Sequence, residues 1–163
     1  VTYVVGTLHI ASNQALESIQ GLSSLEGVGG SLTMDANNSL ANVDGFVLLR
    51  SVSGALTVSN HLQLVDVDGL AALETVGFGL FLIDNPALEH LNGLATLGAV
   101  AGSAVFERNN VMNSVAGLTG LQLQNNLQLR FNDGLCQSHA EQVASTMHVG
   151  GSSDVSSNSG SCQ

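Results

Sequence analysis

The sequence has no lysine and no tryptophan, one proline, one tyrosine and two cysteines in 163 residues. Its fixed cations are Arg50, Arg108 and Arg130, set against 13 acidic residues for a formal net charge of −10. Phosphate backbones are held by clustered Arg and Lys, so nucleic acid is excluded as a partner class. An anionic membrane surface is excluded for the same reason. The chain lacks an apolar run of about 18 residues, the length of a membrane-crossing helix, so no membrane insertion is expected. With two cysteines, no CxxC and no Cys/His ligand spacing, no metal site is expected. Charged residues are only 10% of the chain, far below the roughly one quarter of an ordinary domain. Ser, Asn, Gln and Thr must therefore keep the surface in water.

Catalytic signatures are missing too. The sequence carries no GxSxG, HExxH, P-loop or GxGxxG. Enzymes need convergent groups in nucleophile, base and orienting roles. Here His9, His61, His90, His139 and His148 fall at unrelated places in the pattern described next. No catalytic residue and no cofactor is expected.

What is present is a repeat. From Gly6 the chain reads GTLHIASNQALESIQGLSSLEGVG, and from Gly30 it reads GSLTMDANNSLANVDGFVLLRSVS. The pattern continues from Gly54, Phe78 and Gly102, and a partial unit begins at Asn125. Seven columns are apolar; in the first unit they are Leu8, Ile10, Leu16, Ile19, Leu22, Leu25 and Val28. The first two alternate with polar residues, the period of a strand. The remainder step by three, which predicts short arms joined at corners. A glycine column (Gly21, Gly45, Gly69, Gly93, Gly117) marks one corner, where positive φ is expected. The fold class expected is all-β: a right-handed β-solenoid of about 24-residue leucine-rich coils with a short C-terminal capping helix. Such coils are unstable singly and hold only as a stack with capped ends.

A polar column follows the first strand: Asn13, Asn37, His61, Asn85, Asn109 and Asn132. Inward-turned Asn can satisfy backbone groups freed at a bend, so this column predicts a structural ladder; a row of ligands is the alternative. His61 is expected to be displaced by its neighbour Asn60. The sequon at Asn37-Asn38-Ser39 is expected to carry no glycan, because its Asn faces inward. Asp44, Asp68 and Asn92 precede the corner glycine and are read as turn residues, with calcium binding as the alternative.

The repeat occupies residues 1–135, and residues 136–163 read as a cap on the same domain. The segment SHAEQVASTMHV predicts a helix with a capping box at Ser138 and Glu141. Its apolar face is Ala140, Val143, Ala144 and Met147. Gly/Ser-rich chain follows. Cys136 and Cys162 are read as a local disulfide, which implies an oxidising compartment; two buried thiols are the alternative. No matching cap is visible near Val1, so self-association at that end is one expectation.

The unit GxLxIxxNxxLxxIxGLxxLxxVG resembles the receptor L domain, a leucine-rich right-handed β-solenoid of insulin and epidermal growth factor receptors. It also resembles secreted bacterial proteins and fungal cell-wall glycoproteins with this repeat. Some bacterial relatives end in a Cys-containing helix, similar to LCQSHAEQVA here. The resemblance covers roughly residues 1–135 and implies an extracellular or cell-surface binding module. Phe78 at a glycine position and Ala104 in a core column depart from the pattern.

The candidate binding face is the outer side of the first strand: His9, Thr33, Thr57, Phe81, Ile83 and Val105. Phe81, Ile83 and Val105 are expected to form an exposed apolar cluster, a common mark of an interface. In hormone receptors of this family the analogous sheet contacts ligand, which implies a protein or carbohydrate partner here. The small residues around Thr33 and Thr57 also fit ice binding. End-to-end extracellular assembly is the third expectation.

Overall fold

The computed structural model describes residues 1–162. Two-residue and four-residue strands alternate along the chain. In order they are β1 (Tyr3–Val4), β2 (Leu8–Ala11), β3 (Gly27–Val28), β4 (Leu32–Asp35), β5 (Ser51–Val52), β6 (Leu56–Ser59) and β7 (Thr75–Val76). They continue as β8 (Leu80–Ile83), β9 (Ala99–Val100), β10 (Ala104–Glu107), β11 (Gln122–Leu123), β12 (Leu127–Arg130), β13 (His148–Val149) and β14 (Ser153–Ser156). The odd-numbered strands form one seven-stranded parallel sheet and the even-numbered strands another. One short helix, α1 (Gln137–Ala144), lies near the C-terminus. The layout is solenoid-like: each strand pairs in register with its equivalent one repeat later, as in Leu32↔Leu56 and Thr33↔Thr57.

The apolar columns explain this order. Leu32, Met34, Leu40, Val43, Phe46, Leu49 and Val52 are all buried, as are their equivalents in the next repeats. In the first unit Leu8, Ile10, Leu16 and Leu22 are only partly buried. Ala104 is fully buried, and its strand carries the larger Phe106 inward two residues later. Inward volume in that strand is thus made up, the kind of exchange cores tolerate. Phe78 simply turns its ring to solvent, 69% exposed.

Three-residue 3-10 turns at Gln20–Leu22, Asp44–Phe46, Asp68–Leu70, Asn92–Leu94 and Ala116–Leu118 carry the glycine column. The expected reason for that column is corrected. None of these glycines has positive φ. From Gly45 onward they are required by close approach instead: a Cβ at Gly69 would overlap the Val43 carbonyl one repeat earlier, and one at Gly93 would overlap that of Val67, whereas a Cβ at Gly21 would meet open space. Stacking, not turn conformation, excludes a side chain there.

Positive φ occurs elsewhere, at Ser12, Ala36, Asn60, Asp84, Arg108, Phe131 and Ser157, with values from 51° to 59°. Each is the residue directly before the polar ladder column, so the bend that follows every long strand is left-handed.

The C-terminal segment differs from its expected form in three ways. The helix expected over residues 138–149 stops at Ala144, and His148–Val149 form β13 instead, paired with β11. Helix α1 begins one residue earlier than expected, and Cys136 is its N-cap, with Sγ accepting from the His139 amide. Ser138 lies inside the first turn and caps nothing; its Oγ stands 3.2 Å from the Cys136 sulfur. Beyond the helix the Gly/Ser-rich chain is not a loose tail. GGSSDVSSN forms β14 and repeats the register of GGSLTMDAN at Gly29–Asn37, pairing Leu127 with Ser153 and Leu129 with Val155. Ser153 stands in a leucine column, which hides the repeat from an apolar count. The Cys136–Cys162 disulfide is formed, closing a separation of 26 residues. Ala140 and Val143 are buried, with Ala144 and Met147 packed against the core.

Candidate functional site

The outer face of the long sheet brings the expected residues into one row. Parallel pairing places His9 beside Thr33, Thr33 beside Thr57, Thr57 beside Phe81 and Phe81 beside Val105. Ile83 lies in the adjacent row, between Ser59 and Glu107. Phe81, Ile83 and Val105 are half-buried rather than fully exposed. Gly79 explains part of this: a Cβ there would strike the Phe81 ring, so the ring lies back over the glycine backbone. His9 is exposed, and Thr33 and Thr57 are half-buried.

Charges close one side of this face. Glu107, 7% exposed, receives Arg108 Nη1 at 2.9 Å and also the Arg130 guanidinium. Arg108 reaches Asp84 with two nitrogens, at 2.6 and 2.9 Å, and Arg130 reaches Asp154 at 3.1 Å. With Arg50 on Glu74 at 2.8 Å, all three arginines are paired within the protein. Asp35 accepts from Asn60 and Ser59, both at 2.7 Å, and these donors hold its carboxyl below the usual range.

Beneath the bend runs the polar ladder. Asn85 donates its amide N–H to Asn109 Oδ1 at 3.1 Å, and Asn109 does the same to Asn132. Each side-chain Nδ2 then donates to a strand carbonyl of the preceding repeat: Asn37 to Ile10, Asn85 to Val58, Asn109 to Leu82 and Asn132 to Phe106. One amide thus supplies an acceptor and a donor at once, which is why the column is asparagine. Asn13 completes the near end by donating to Asn37 Oδ1.

The displacement expected of His61 does not occur. His61 occupies the ladder slot, fully buried, while Asn60 takes the left-handed position outside it. Imidazole is long enough to fill the slot but offers poorer chemistry. Its Nε2 meets Asn37 Nδ2 at 3.4 Å, and its Nδ1 is buried without a partner among the described residues. Burial pushes its pKa down, with the Ser59 carbonyl and Asp35 pulling weakly the other way.

The ladder also extends past the expected column. Asn158 donates to Leu129 and accepts from Asn132. Gln137 on α1 ends the row: its Oε1 accepts from the Asn158 amide and side chain, and its Nε2 donates to the Val155 carbonyl at 2.7 Å. Neither residue was identified from sequence, although Asn158 follows GG at the same offset as Asn37.

Two grooves mark the surface. One, of about 640 Å³, adjoins the disulfide and is walled by Asn113, Ser114, His139 and Gln142. The other, of about 470 Å³, follows the bend over the ladder across four repeats. Its walls are the residues just before and just after each ladder position, which point outward because the ladder residue points in. No cluster of three potential metal ligands occurs among the described residues, nor a helix long and apolar enough to cross a membrane. No protein-family model matches the sequence, and no curated protein matches it.

Proposed function

We propose that this chain is a non-catalytic, extracellular or cell-surface binding module of receptor L domain type. In this reading the stacked repeats form a right-handed β-solenoid whose long-sheet face meets a protein or glycan partner. The observation that carries it is the apolar group Phe81, Ile83 and Val105, which interrupts an outer face otherwise mostly polar or charged, with Thr33, Thr57, Ser59, Gln128, Asp35 and Arg130 in the same two rows. Apolar side chains on an outward strand face serve no core, and clustered ones mark interfaces. The Cys136–Cys162 bond supports an oxidising compartment.

The test is a photo-reactive residue placed at position 81, with a control at position 72, on the protein displayed to its native cells or matrix. A discrete adduct at 81 that is absent at 72 is expected. Identical labelling from both positions removes this face as the interface.

Thr33 paired with Thr57 favours ice binding as a second reading. Thermal hysteresis at micromolar protein would replace the binding-module reading with that one. End-to-end stacking is disfavoured, because Gln137 already fills the acceptor position that a following repeat would need.

A further inference from the structure

We infer that the Cys136–Cys162 disulfide is a thiol-exchange site as well as a tie: a small thiol entering the groove beside it is captured on Cys162, and Cys136 leaves as the thiolate. The first observation is access. Cys136 is 9% exposed, whereas Cys162 is exposed, and both line the groove of about 640 Å³ with Ser138, His139 and Gln142. Exchange requires an incoming thiolate to reach one of the two sulfurs, and the sulfur within reach is that of Cys162. The chain has 13 acidic residues, yet none lines this groove among the described residues. An anionic nucleophile therefore meets no opposing charge on its walls.

The second observation concerns the sulfur that leaves. Cys136 is the N-cap of α1, and its Sγ accepts the His139 amide at 3.4 Å. Ser138 Oγ stands 3.2 Å from that sulfur and 3.4 Å from the Cys162 sulfur. A disulfide sulfur carries no hydrogen, so the Ser138 hydroxyl is the donor in both contacts. When the bond breaks, the new charge on Cys136 lies at the positive end of a helix with two donors already in place. Thiols in that setting ionise more readily, and the more acidic thiol leaves faster. Access and leaving ability thus select the same direction of cleavage.

The step balances within the two partners. The incoming thiol gives its proton to water, and its sulfur bonds to Cys162 Sγ as the Sγ–Sγ electron pair departs on Cys136. The captured thiol is oxidised to the disulfide level while Cys136 is reduced. Return attack by the Cys136 thiolate on Cys162 expels the thiol and restores the bond. The fold tolerates the open form. A thiolate accepts more strongly than a disulfide sulfur, so the cap on α1 is kept. Strand β14 stays paired with β12, and Asn158 stays bonded to Leu129 and Gln137. Cleavage frees only the short segment beyond Asn158.

The inference does not depend on the long-sheet face. The intact chain is incubated with millimolar glutathione near neutral pH without denaturant, quenched with iodoacetamide and mapped by mass spectrometry. Glutathione on Cys162 with carbamidomethyl on Cys136 should exceed the reverse pattern about tenfold, and concentrated urea should make the two patterns equal. Ser138→Ala should slow capture about threefold without moving the melting temperature. In Cys162→Ser, the free Cys136 should titrate below the value of about 8.5 for an ordinary thiol. Amide exchange over residues 153–158 should be the same in the captured and disulfide forms. The inference is overturned if the native chain resists glutathione that the urea-unfolded chain takes up, or if Cys136 carries the adduct. It is equally overturned if Cys136 titrates as an ordinary thiol, or if capture opens residues 153–158.

Discussion

At position 61 one residue breaks the ladder rule and carries a measurable cost. His61→Asn restores the amide that the other rungs use. It should raise stability by about 1 kcal/mol near neutral pH. The folded-state pKa of His61 lies below its unfolded value of about 6.5. Its neutral form is therefore fully tolerated above that pH, and stability is lost as pH falls from there toward the folded value. The gap between wild type and His61→Asn should widen over that window in denaturant titrations; a constant gap would contradict a buried neutral imidazole. Asn109→Ala should cost about 2–4 kcal/mol, because the Asn85 amide and the Leu82 carbonyl lose their partners in a dry site. Gly69→Val should cost about 3 kcal/mol by overlap with the Val43 carbonyl. Asp35→Ala, on the half-buried outer face, should cost under 1 kcal/mol. Equal melting shifts for Gly69→Val and Asp35→Ala would refute the column assignment.

The C-terminal elements act as a terminator built from unlike parts. Helix α1 covers apolar surface with Ala140 and Val143, while Gln137 at its first turn copies the hydrogen bonds of a further Asn rung. Gln137→Ala should speed amide exchange at Asn158, whose N–H it accepts, while leaving the central repeats unchanged. Uniform acceleration through the chain would mean that α1 supports the whole stack. Mass spectrometry without reduction should find Cys136 linked to Cys162. Reducing that bond should lower stability by roughly 3 kcal/mol. The helix and its apolar face were legible from i, i+3, i+4 spacing. Its cap was not, because cysteine is not among the residues that usually cap a helix, and Ser138 two residues later offered the more familiar one. Strand β14 was missed because Ser153 and Asp154 carry no strand-like alternation; pairing with β12 imposes the conformation on them.

Across the whole molecule, parallel pairing of like with like converts every repeat column into a stripe along the stacking axis. Sequence alone therefore determined the repeat length, the apolar interior and the inward asparagines. Each follows from periodic burial, and burial requires only local chemistry repeated at a fixed interval. It also placed His9, Thr33, Thr57, Phe81, Ile83 and Val105 on one outward face, since alternation fixes the side of a strand. Tertiary structure decided what depends on the distance between successive repeats. It decided that the corner glycines answer to a neighbouring carbonyl rather than to positive φ, and that the strained column is Ser12, Ala36, Asn60, Asp84, Arg108, Phe131 and Ser157. It decided that Phe81 lies back on Gly79, and that a groove opens above the ladder. The corner glycines and the groove belong to contacts between residues about 24 positions apart, and a period states only that such residues are alike, not how closely they touch.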